Sequence, residues 1–451
     1  MSDENAYGRG GRFQNAWRRQ QAWHWQSYNE ERRTRREEER LEQYLAELSP
    51  LEQMVEREFG MDRLLEAIRI ARSFRGHGSG QSGVTFEDID RSDLFAVIRE
   101  TMRALKSGEY RPAPERTVEI PRPGKSPRRL SLGEITDRAV AMVANERFAI
   151  HAEQPFLEHE SVQSIGYRTR RRVWDTIINI ERAIENGLTA FVAADIRDAF
   201  NHVPIREAIA TVREQIDDEY FVQIVESLLR GHEQKRVGVS QGSPIGPTGF
   251  NLALDRVHDR LFARWVDRRF PAADFPSRPI CIRYADDLLY MGQADQLLEP
   301  VRFALSLLLD AGMPTGRQVD SPEHPPVVLD LRVPGTSITF VGFTHRIVDG
   351  RLQTGPSRKS WGKIHDLIRS SHDGPSPYLH AEESVTGWIK QFGPGFGHTR
   401  ELPSQAARLC GFLENAEFGG LLSQSDLVQQ MQQSHELWRQ YRTDAWSRFS
   451  V

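Results

Sequence analysis

The sequence predicts an α+β fold, in which helices dominate both ends of the chain and short apolar strands lie near its middle. Two strands carry this prediction. Residues 191–194 lead directly into Asp195, and the apolar segment that begins at Ile282 leads into Asp286 and Asp287. Apolar residues at helical spacing surround both strands, so the strands must share one protein core with several helices.

The predicted elements follow one another from the N-terminus. Residues 1–11 are polar and Gly-rich, and we expect them to be disordered. Residues 13–48 predict a long helix with Trp and Tyr among arginines, which is either a solvated helix with ion pairs or an RNA-binding or oligomer-forming extension. Prolines punctuate the β-prone residues 109–132, which predict a hairpin. Further helices are predicted at 49–74, 86–107, 136–151, 173–186, 205–230 and 248–269.

Composition narrows the class of protein. The 451 residues should divide into two to four lobes, and no window approaches the ~18 apolar residues of a membrane span. Two cysteines make a disulfide framework or a cysteine-rich zinc site implausible, and the polar start lacks a secretory signal, so we expect a cytoplasmic protein without a membrane segment. The net charge is -4, but arginines cluster at 116–138 and 168–172, which predicts a basic cleft inside a neutral shell.

The strand-end carboxylates are the strongest chemical signal in the sequence. An acidic pair on an apolar strand is costly unless a cation neutralises it. Carboxylate oxygens suit Mg²⁺, and phosphoryl transfer requires two divalent cations ~3.5–4 Å apart. The alternatives are an exposed hairpin tip for Asp286 and Asp287 and a helix cap for Asp195.

The order of four segments adds a family resemblance. Residues 193–203 (AADIRDAFNHV), 240–247 (SQGSPIGP), 284–287 (YADD) and 338–343 (ITFVGF) follow one another as in reverse transcriptases, and YADD resembles their catalytic hairpin. The likeness is strongest to the bacterial branch with group II intron, retron and defence-associated enzymes, and it spans roughly residues 76–396. It implies a right-hand polymerase with fingers at 49–190 interleaved with the palm from about 115, a palm of antiparallel sheet and helices at 191–345, and a helical thumb and C-terminal region at 355–451. Residues 1–48, outside the resemblance, would form an N-terminal helical extension.

The resemblance also implies roles for individual residues. Asp195, Asp286 and Asp287 would be catalytic, and together with Ile196 they would hold two Mg²⁺ ions, with Mn²⁺ as the alternative ion. Phe200 matches the residue that excludes a ribose 2′-hydroxyl, although a core aromatic is the alternative. The nucleotide-binding residues would be Lys125, Arg128, Phe200 and Gln241. The template or primer would contact Gly166, Tyr167, Arg168, Gly242, Ser243, Pro244, Phe340, Gly342 and Trp388.

The expected function is RNA-directed DNA synthesis from dNTPs. The template would be an associated non-coding RNA in a bacterial antiphage defence or retroelement-derived system, and the product would be DNA. The alternatives are a template-independent polymerase of the same family and a non-catalytic RNA-binding or splicing factor. Where the family has a lysine after a Gly-Leu-x-Leu-Asn element, this chain has GMPTGRQVD with Arg317. The N-terminal helix is the expected site of any homo-oligomer.

Overall fold

The computed structural model describes residues 43–73, 78–85, 87–122, 125–271, 278–316 and 326–449. The chain divides into two compact units, one comprising Met1–Gly76 with Glu87–Tyr110 and the other His77–Phe86 with Arg111–Val451. Most of the N-terminal helix predicted at 13–48, and with it the proposed oligomer contact, lies outside the described residues.

The first unit is helical. Its helices are α1 Pro50–Phe59, α2 Met61–Ser73 and α3 Arg91–Lys106. Ser49 begins α1 through a reciprocal capping box with Glu52. The single helix predicted at 49–74 is wrong, because Gly60 takes an extended conformation and separates α1 from α2. A β-carbon at Gly60 would lie 2.8 Å from the carbonyl oxygen of Glu56, so only glycine fits this break.

The second unit contains all the strands that the structure describes and most of the helices. Its strands are β1 Arg116–Arg122, β2 Lys125–Leu132, β3 Val162–Ser164, β4 Ala190–Asp195, β5 Ile280–Tyr284, β6 Asp287–Gly292, β7 Leu329–Asp330, β8 Ile338–Phe340, β9 Phe343–Val348 and β10 Arg351–Pro356. Its helices are α4 Ile135–His151, α5 Val173–Glu185, α6 Ile205–Gln215, α7 Glu219–Arg230, α8 Gly246–Leu254, α9 Arg260–Arg269, α10 Leu298–Asp310, α11 Arg358–Ser370, α12 Pro377–Gln391, α13 Leu402–Asn415 and α14 Gln424–Phe449.

A five-stranded sheet in the order β3-β5-β6-β4-β7 forms the centre of this unit. The β3–β5 pair is parallel, and the other pairs are antiparallel. The α+β class and the antiparallel character of the central sheet are therefore confirmed. Residues 280–292, which read as one apolar strand, form the two strands of a hairpin because the backbone reverses at Ala285 and Asp286.

The helix predicted at 248–269 is interrupted. Five residues, Asp255–Asp259, form a π-helix between α8 and α9. A π-turn inserts an extra residue and rotates the side chains that follow it. As a result, Asp255, His258 and Asp259 all point into the protein interior and are almost completely buried.

Two further sheets and a helical core complete the unit. β1 and β2 form the predicted hairpin, and β8, β9 and β10 form a three-stranded sheet. A second hydrophobic core surrounds Trp361 and Trp388 and draws on α11 to α14 and on Trp174 of α5. Within the described part of the chain, no helix combines the length and the apolar character required to cross a membrane.

Candidate active site

Two neighbouring strands bring the three aspartates together at one end of the central sheet. β4 runs antiparallel to β6 in a register that pairs Asp195 with Asp287. Asp286 precedes Asp287 in the turn of the β5–β6 hairpin, and its carbonyl oxygen accepts a hydrogen bond of 3.1 Å from the N–H of Ile196. Since the apolar parts of β4 and β6 are buried and the acids stand at their ends, the hydrophobic pattern of the sequence dictates this placement.

The turn that carries Asp286 is tight and strained. Tyr284 pairs with Asp287, so only Ala285 and Asp286 connect the strands, and Ala285 has a positive φ of 56°. A non-glycine residue in this region costs on the order of 1–3 kcal/mol, and such strain is concentrated at functional sites. Gly166 lies directly against the turn, because a β-carbon there would be 2.5 Å from the backbone nitrogen of Ala285.

Electrostatics identify these carboxylates as mutually repelling. The pKa of Asp287 is raised to about 6, first by loss of hydration and then by the charges of Asp286 and Asp195, while Lys359 and Lys363 act in the opposite direction. The pKa of Asp286 is also raised, first by burial, with Asp195 adding to the effect and Arg128 opposing it. Asp287 remains accessible to solvent, yet protein atoms displace much of the water around its carboxylate.

This site suits a divalent cation by the chemistry of its donors. The three aspartates supply hard oxygen ligands that repel one another, and Mg²⁺ binds one or two carboxylates together with substrate phosphates and water. Among the described residues, no group of three or more His, Cys, Asp or Glu side chains by itself forms a metal-binding cluster.

The start of the GMPTGRQVD segment supports the first carboxylate, a contact that the sequence did not predict. Thr315 forms an isolated antiparallel bridge with Ile196, and the N–H of Gly316 donates to the carbonyl oxygen of Asp195 at 2.9 Å. The only sequence signal was the glycine next to the place where the family has its lysine-bearing element. Arg317, the basic residue of that segment, lies outside the described residues.

The β1–β2 hairpin is tied to the SQGSP loop. Nε of Arg128 donates to Oε1 of Gln241 at 3.1 Å, and the N–H of Ser131 donates to the carbonyl oxygen of Gln241 at 2.7 Å. Two predicted nucleotide-binding residues, 113 positions apart in sequence, are thus in direct contact. The side chain of Lys125, which the sequence assigned to the same group, lies outside the described part.

Phe200 lies within a short 3-10 helix, Ala199–His202, that follows β4. Its ring stacks on Phe250 with a centroid distance of 5.2 Å and meets Tyr167 edge-on at 6.2 Å. Only 9% of the residue is exposed. Phe200 therefore has a packing role, and its exclusion of a ribose hydroxyl stays a prediction.

The residues that follow Gly166 differ in their exposure to solvent. Tyr167 is half exposed, whereas Arg168 is buried and its guanidinium donates to Glu153 and to the carbonyl oxygen of Ser164. Gly242 has a φ of 110°, and a β-carbon there would lie 2.8 Å from the carbonyl oxygen of Ser131, so the glycine permits close approach of the SQGSP loop to β2. Ser243 and Pro244 line the small cavity beside this loop.

The remaining predicted template and primer residues lie in the three-stranded sheet and in the second hydrophobic core. Val341 and Gly342 connect β8 to β9 with positive φ angles, and Phe340 is buried. Trp388 is 6% exposed and packs on Trp361 at 4.6 Å. Its placement indicates a packing role, and a contact with nucleic acid stays a prediction.

Sequence reasoning also missed two lysines. Lys359 and Lys363 are exposed, lie four residues apart on α11 and are close enough to lower the pKa of Asp287. Residues at this spacing share one helix face. The signal available in the sequence was this spacing on an amphipathic helix, but nothing in the sequence related that helix to the aspartates.

Similarity to known proteins agrees with this geometry. Residues 120–315 match the family model described as reverse transcriptase (RNA-dependent DNA polymerase). Protein YkfC of Escherichia coli (strain K12) is 26% identical over 331 residues, which cover 65% of this chain and 82% of YkfC. The putative COX1/OXI3 intron 1 protein of Saccharomyces cerevisiae is 25% identical over 192 residues, and the match covers 41% of this chain and 22% of that protein. The chain thus spans most of YkfC but less than a quarter of the yeast protein.

Solved structures that align with this chain include telomerases. The telomerase from Candida albicans in complex with a TWJ fragment of telomeric RNA aligns with a TM-score of 0.42 and 10% identity, over 71% of this chain and 62% of that one. The apo telomerase from Candida tropicalis aligns with a TM-score of 0.41 and 10% identity, over 78% of this chain and 72% of that one.

From the family match, residues 120–315 of this chain belong to the reverse transcriptase family.

Proposed function

We propose that this chain is an active RNA-directed DNA polymerase that extends a primer with dNTPs by phosphoryl transfer. The observation that carries the proposal is the register pairing of Asp195 with Asp287, with Asp286 adjacent in the turn. Repulsion among these carboxylates, which contributes to the raised pKa of Asp287, supports a site built for cations. A degenerate, non-catalytic scaffold would have no need to retain this unfavourable arrangement.

The aspartates and the carbonyl oxygen of Ile196 would hold two Mg²⁺ or Mn²⁺ ions. Such ions activate the primer 3′-hydroxyl and stabilise the leaving pyrophosphate. The chain's own residues position the reactants. Arg128 is exposed on β2 and is suited to bidentate contact with a triphosphate, and its neighbour Gln241 would then lie beside the nucleotide. Lys359 and Lys363 would neutralise phosphates of the nucleic acid beside Asp287.

Primer extension tests the chemistry. The purified chain is incubated with an RNA template, a DNA primer, dNTPs and Mg²⁺, and Asp286→Asn is assayed in parallel. We expect complementary DNA from the wild type and none from the variant, with folding and RNA binding retained, because removal of a repelled charge does not damage packing. Synthesis at the wild-type rate by Asp286→Asn would overturn the proposed mechanism.

Sequencing the product separates the two enzymatic alternatives. DNA complementary to the template supports RNA-directed synthesis, whereas DNA of unrelated sequence made with and without RNA identifies a template-independent polymerase. A wild-type chain that binds RNA but makes no DNA under any of these conditions would favour the RNA-binding or splicing role.

For the biological setting we propose a bacterial antiphage defence or retroelement-derived system in the cytoplasm, with an associated non-coding RNA as the template. The support is the likeness of the YADD region to the bacterial branch of the family. Sequencing of the nucleic acid that copurifies with the protein tests this setting. One defined small RNA species is expected, and a random sample of cellular RNA would contradict the proposal.

A further inference from the structure

A fully buried arginine lies beside the turn that carries Asp286. Arg283 lies on β5 two residues before that turn and has 0% of its surface exposed. Burial of an arginine is costly, so its hydrogen bonds must be satisfied inside the protein. Its hydrogen-bond partners show which segments of the protein the buried guanidinium connects.

Two of these partners lie on the interrupted α8–α9 segment. Nη2 and Nε of Arg283 donate to the carboxylate of Asp259 at 2.6 and 3.1 Å. Nη1 donates to Oδ1 of Asn251 at 2.8 Å. The π-helix Asp255–Asp259 turns Asp259 inward, so this local irregularity places the counter-charge. The pKa of Asp259 is lowered to about 2, because the charge of Arg283 and a hydrogen bond from His258 outweigh the burial that acts to raise it.

The third partner is the catalytic turn. Nη1 of Arg283 also lies 3.4 Å from the carbonyl oxygen of Ala285, the residue with the positive φ. Asn251, which accepts from Arg283, also contacts Gly166: its Nδ2 donates to the carbonyl oxygen of Gly166 at 2.6 Å. Gly166 in turn abuts Ala285, as the 2.5 Å separation of its would-be β-carbon from the Ala285 nitrogen indicates. Asn251 and Arg283 therefore connect both segments that enclose the turn.

We propose that Arg283 and Asn251 are positioning residues, which hold the strained Ala285–Asp286 turn against Gly166 and thereby fix the aspartates for catalysis. This inference rests on the proposed polymerase function. A planar guanidinium is required because it donates in three directions at once, to Asp259, to Asn251 and to the Ala285 carbonyl. An ammonium group can neutralise Asp259 but cannot span the other two acceptors.

The informative variant is therefore Arg283→Lys, which keeps the positive charge and loses the planar guanidinium with its several donors. At a temperature where the protein is folded, kcat for primer extension should fall by about ten- to a hundredfold, while KM for dNTP changes much less, since misplacement by ~1 Å has effects of this size. Tyr290→Phe is the matched control. Tyr290 is equally buried and bonds His258 on the far side of Asp259, so its variant perturbs the same buried network without touching the turn.

Hydrogen exchange gives a second readout that needs no activity. The amides of residues 284–287 should exchange faster in Arg283→Lys than in the wild type, and at the wild-type rate in Tyr290→Phe. If Arg283→Lys does not fold, Asn251→Ser breaks the link from Arg283 to Gly166 without a change of charge and should have the same two effects.

The outcomes separate the two levels of the proposal. An inactive wild-type chain contradicts the polymerase function, and the exchange measurement still tests the positioning role. A kcat within about twofold of wild type in folded Arg283→Lys or Asn251→Ser, with unchanged exchange at 284–287, overturns the positioning role alone. An equal loss of kcat in Tyr290→Phe overturns it as well, because general loosening of the core would then explain the effect.

Discussion

Gly316 lies against both the backbone and the side chain of Asp195. The N–H of Gly316 donates to the carbonyl oxygen of Asp195 at 2.9 Å, and a β-carbon added at Gly316 would overlap Oδ1 of the Asp195 carboxylate. The loop after α10 therefore leaves only as much room as the carboxylate needs. A single methyl group at this position would move a proposed metal ligand.

Gly316→Ala should reduce kcat for primer extension by about a hundredfold, since displacement of a catalytic group by ~1 Å has an effect of that order. The melting temperature should change little, because rotation of the exposed Asp195 side chain relieves the clash. Gly411→Ala on α13 is the matched control, as nothing lies within 4 Å of its added methyl group. That variant should keep full activity and gain about 0.5–1 kcal/mol of stability. Full activity of Gly316→Ala would contradict the role of Asp195.

Phe200→Ala tests the choice between DNA and RNA synthesis. Loss of the stacked ring should cost about 3–5 kcal/mol of stability. If the ring also excludes a ribose hydroxyl, the ratio of kcat/KM for dNTP to that for NTP should fall, and this ratio does not depend on the folded fraction. Phe250→Leu removes the same stack from the buried side and should leave the ratio unchanged. An unchanged ratio in both variants, with lowered melting temperatures, would make Phe200 a core residue only.

The double variant Lys359→Gln/Lys363→Gln should weaken binding of a primer–template duplex and leave kcat at saturating duplex nearly intact. Each phosphate contact contributes about -0.9 to the slope of log K against log salt, so two lost contacts should flatten the slope by roughly 2. Arg369→Gln, at the far end of the same helix, is the control and should leave the slope as it is. Binding whose salt dependence survives the double substitution would exclude this helix face from the interface.

His345 should make stability depend on pH. Burial lowers the pKa of His345 from 6.5 to about 3, so the folded protein holds a neutral imidazole while the unfolded chain takes up a proton below about pH 6.5. The stability present above pH 6.5 should therefore be lost as the pH falls, by up to about 1.4 kcal/mol per pH unit. The free energy of unfolding, measured with urea at a series of pH values, should depend less steeply on pH in His345→Gln than in the wild type between about pH 6 and 4. The difference should be up to about 1.4 kcal/mol per pH unit. Thr354→Val removes only the hydrogen bond to Nδ1 of His345 and should keep the slope.

Much of the fold follows from local patterns. Apolar runs that end in acids predicted β4 and β5, the resemblance of YADD to a catalytic hairpin predicted the β5–β6 turn, and prolines around a basic segment predicted the β1–β2 hairpin. Helix interruptions were the main errors. Gly60 ends α1, and the π-helix at Asp255–Asp259 interrupts a continuous helical pattern, because the burial of His258 and Asp259 against distant strands stabilises a geometry that no local preference favours.

The sequence by itself determined the chemistry of the candidate site: three carboxylates at the ends of apolar strands, in an order that resembles reverse transcriptases. The tertiary structure decided which groups surround them. Gly316 and Lys359 reach the aspartates from segments remote in sequence, and Asn251 reaches Arg283 beside the turn in the same way. The contact of Gly316 depends on close packing, that of Asn251 on a hydrogen bond in the interior, and the effect of Lys359 on charge. Such contacts leave no periodic signal in the chain, since side-chain periodicity records which face of an element is buried and not which distant residue it meets.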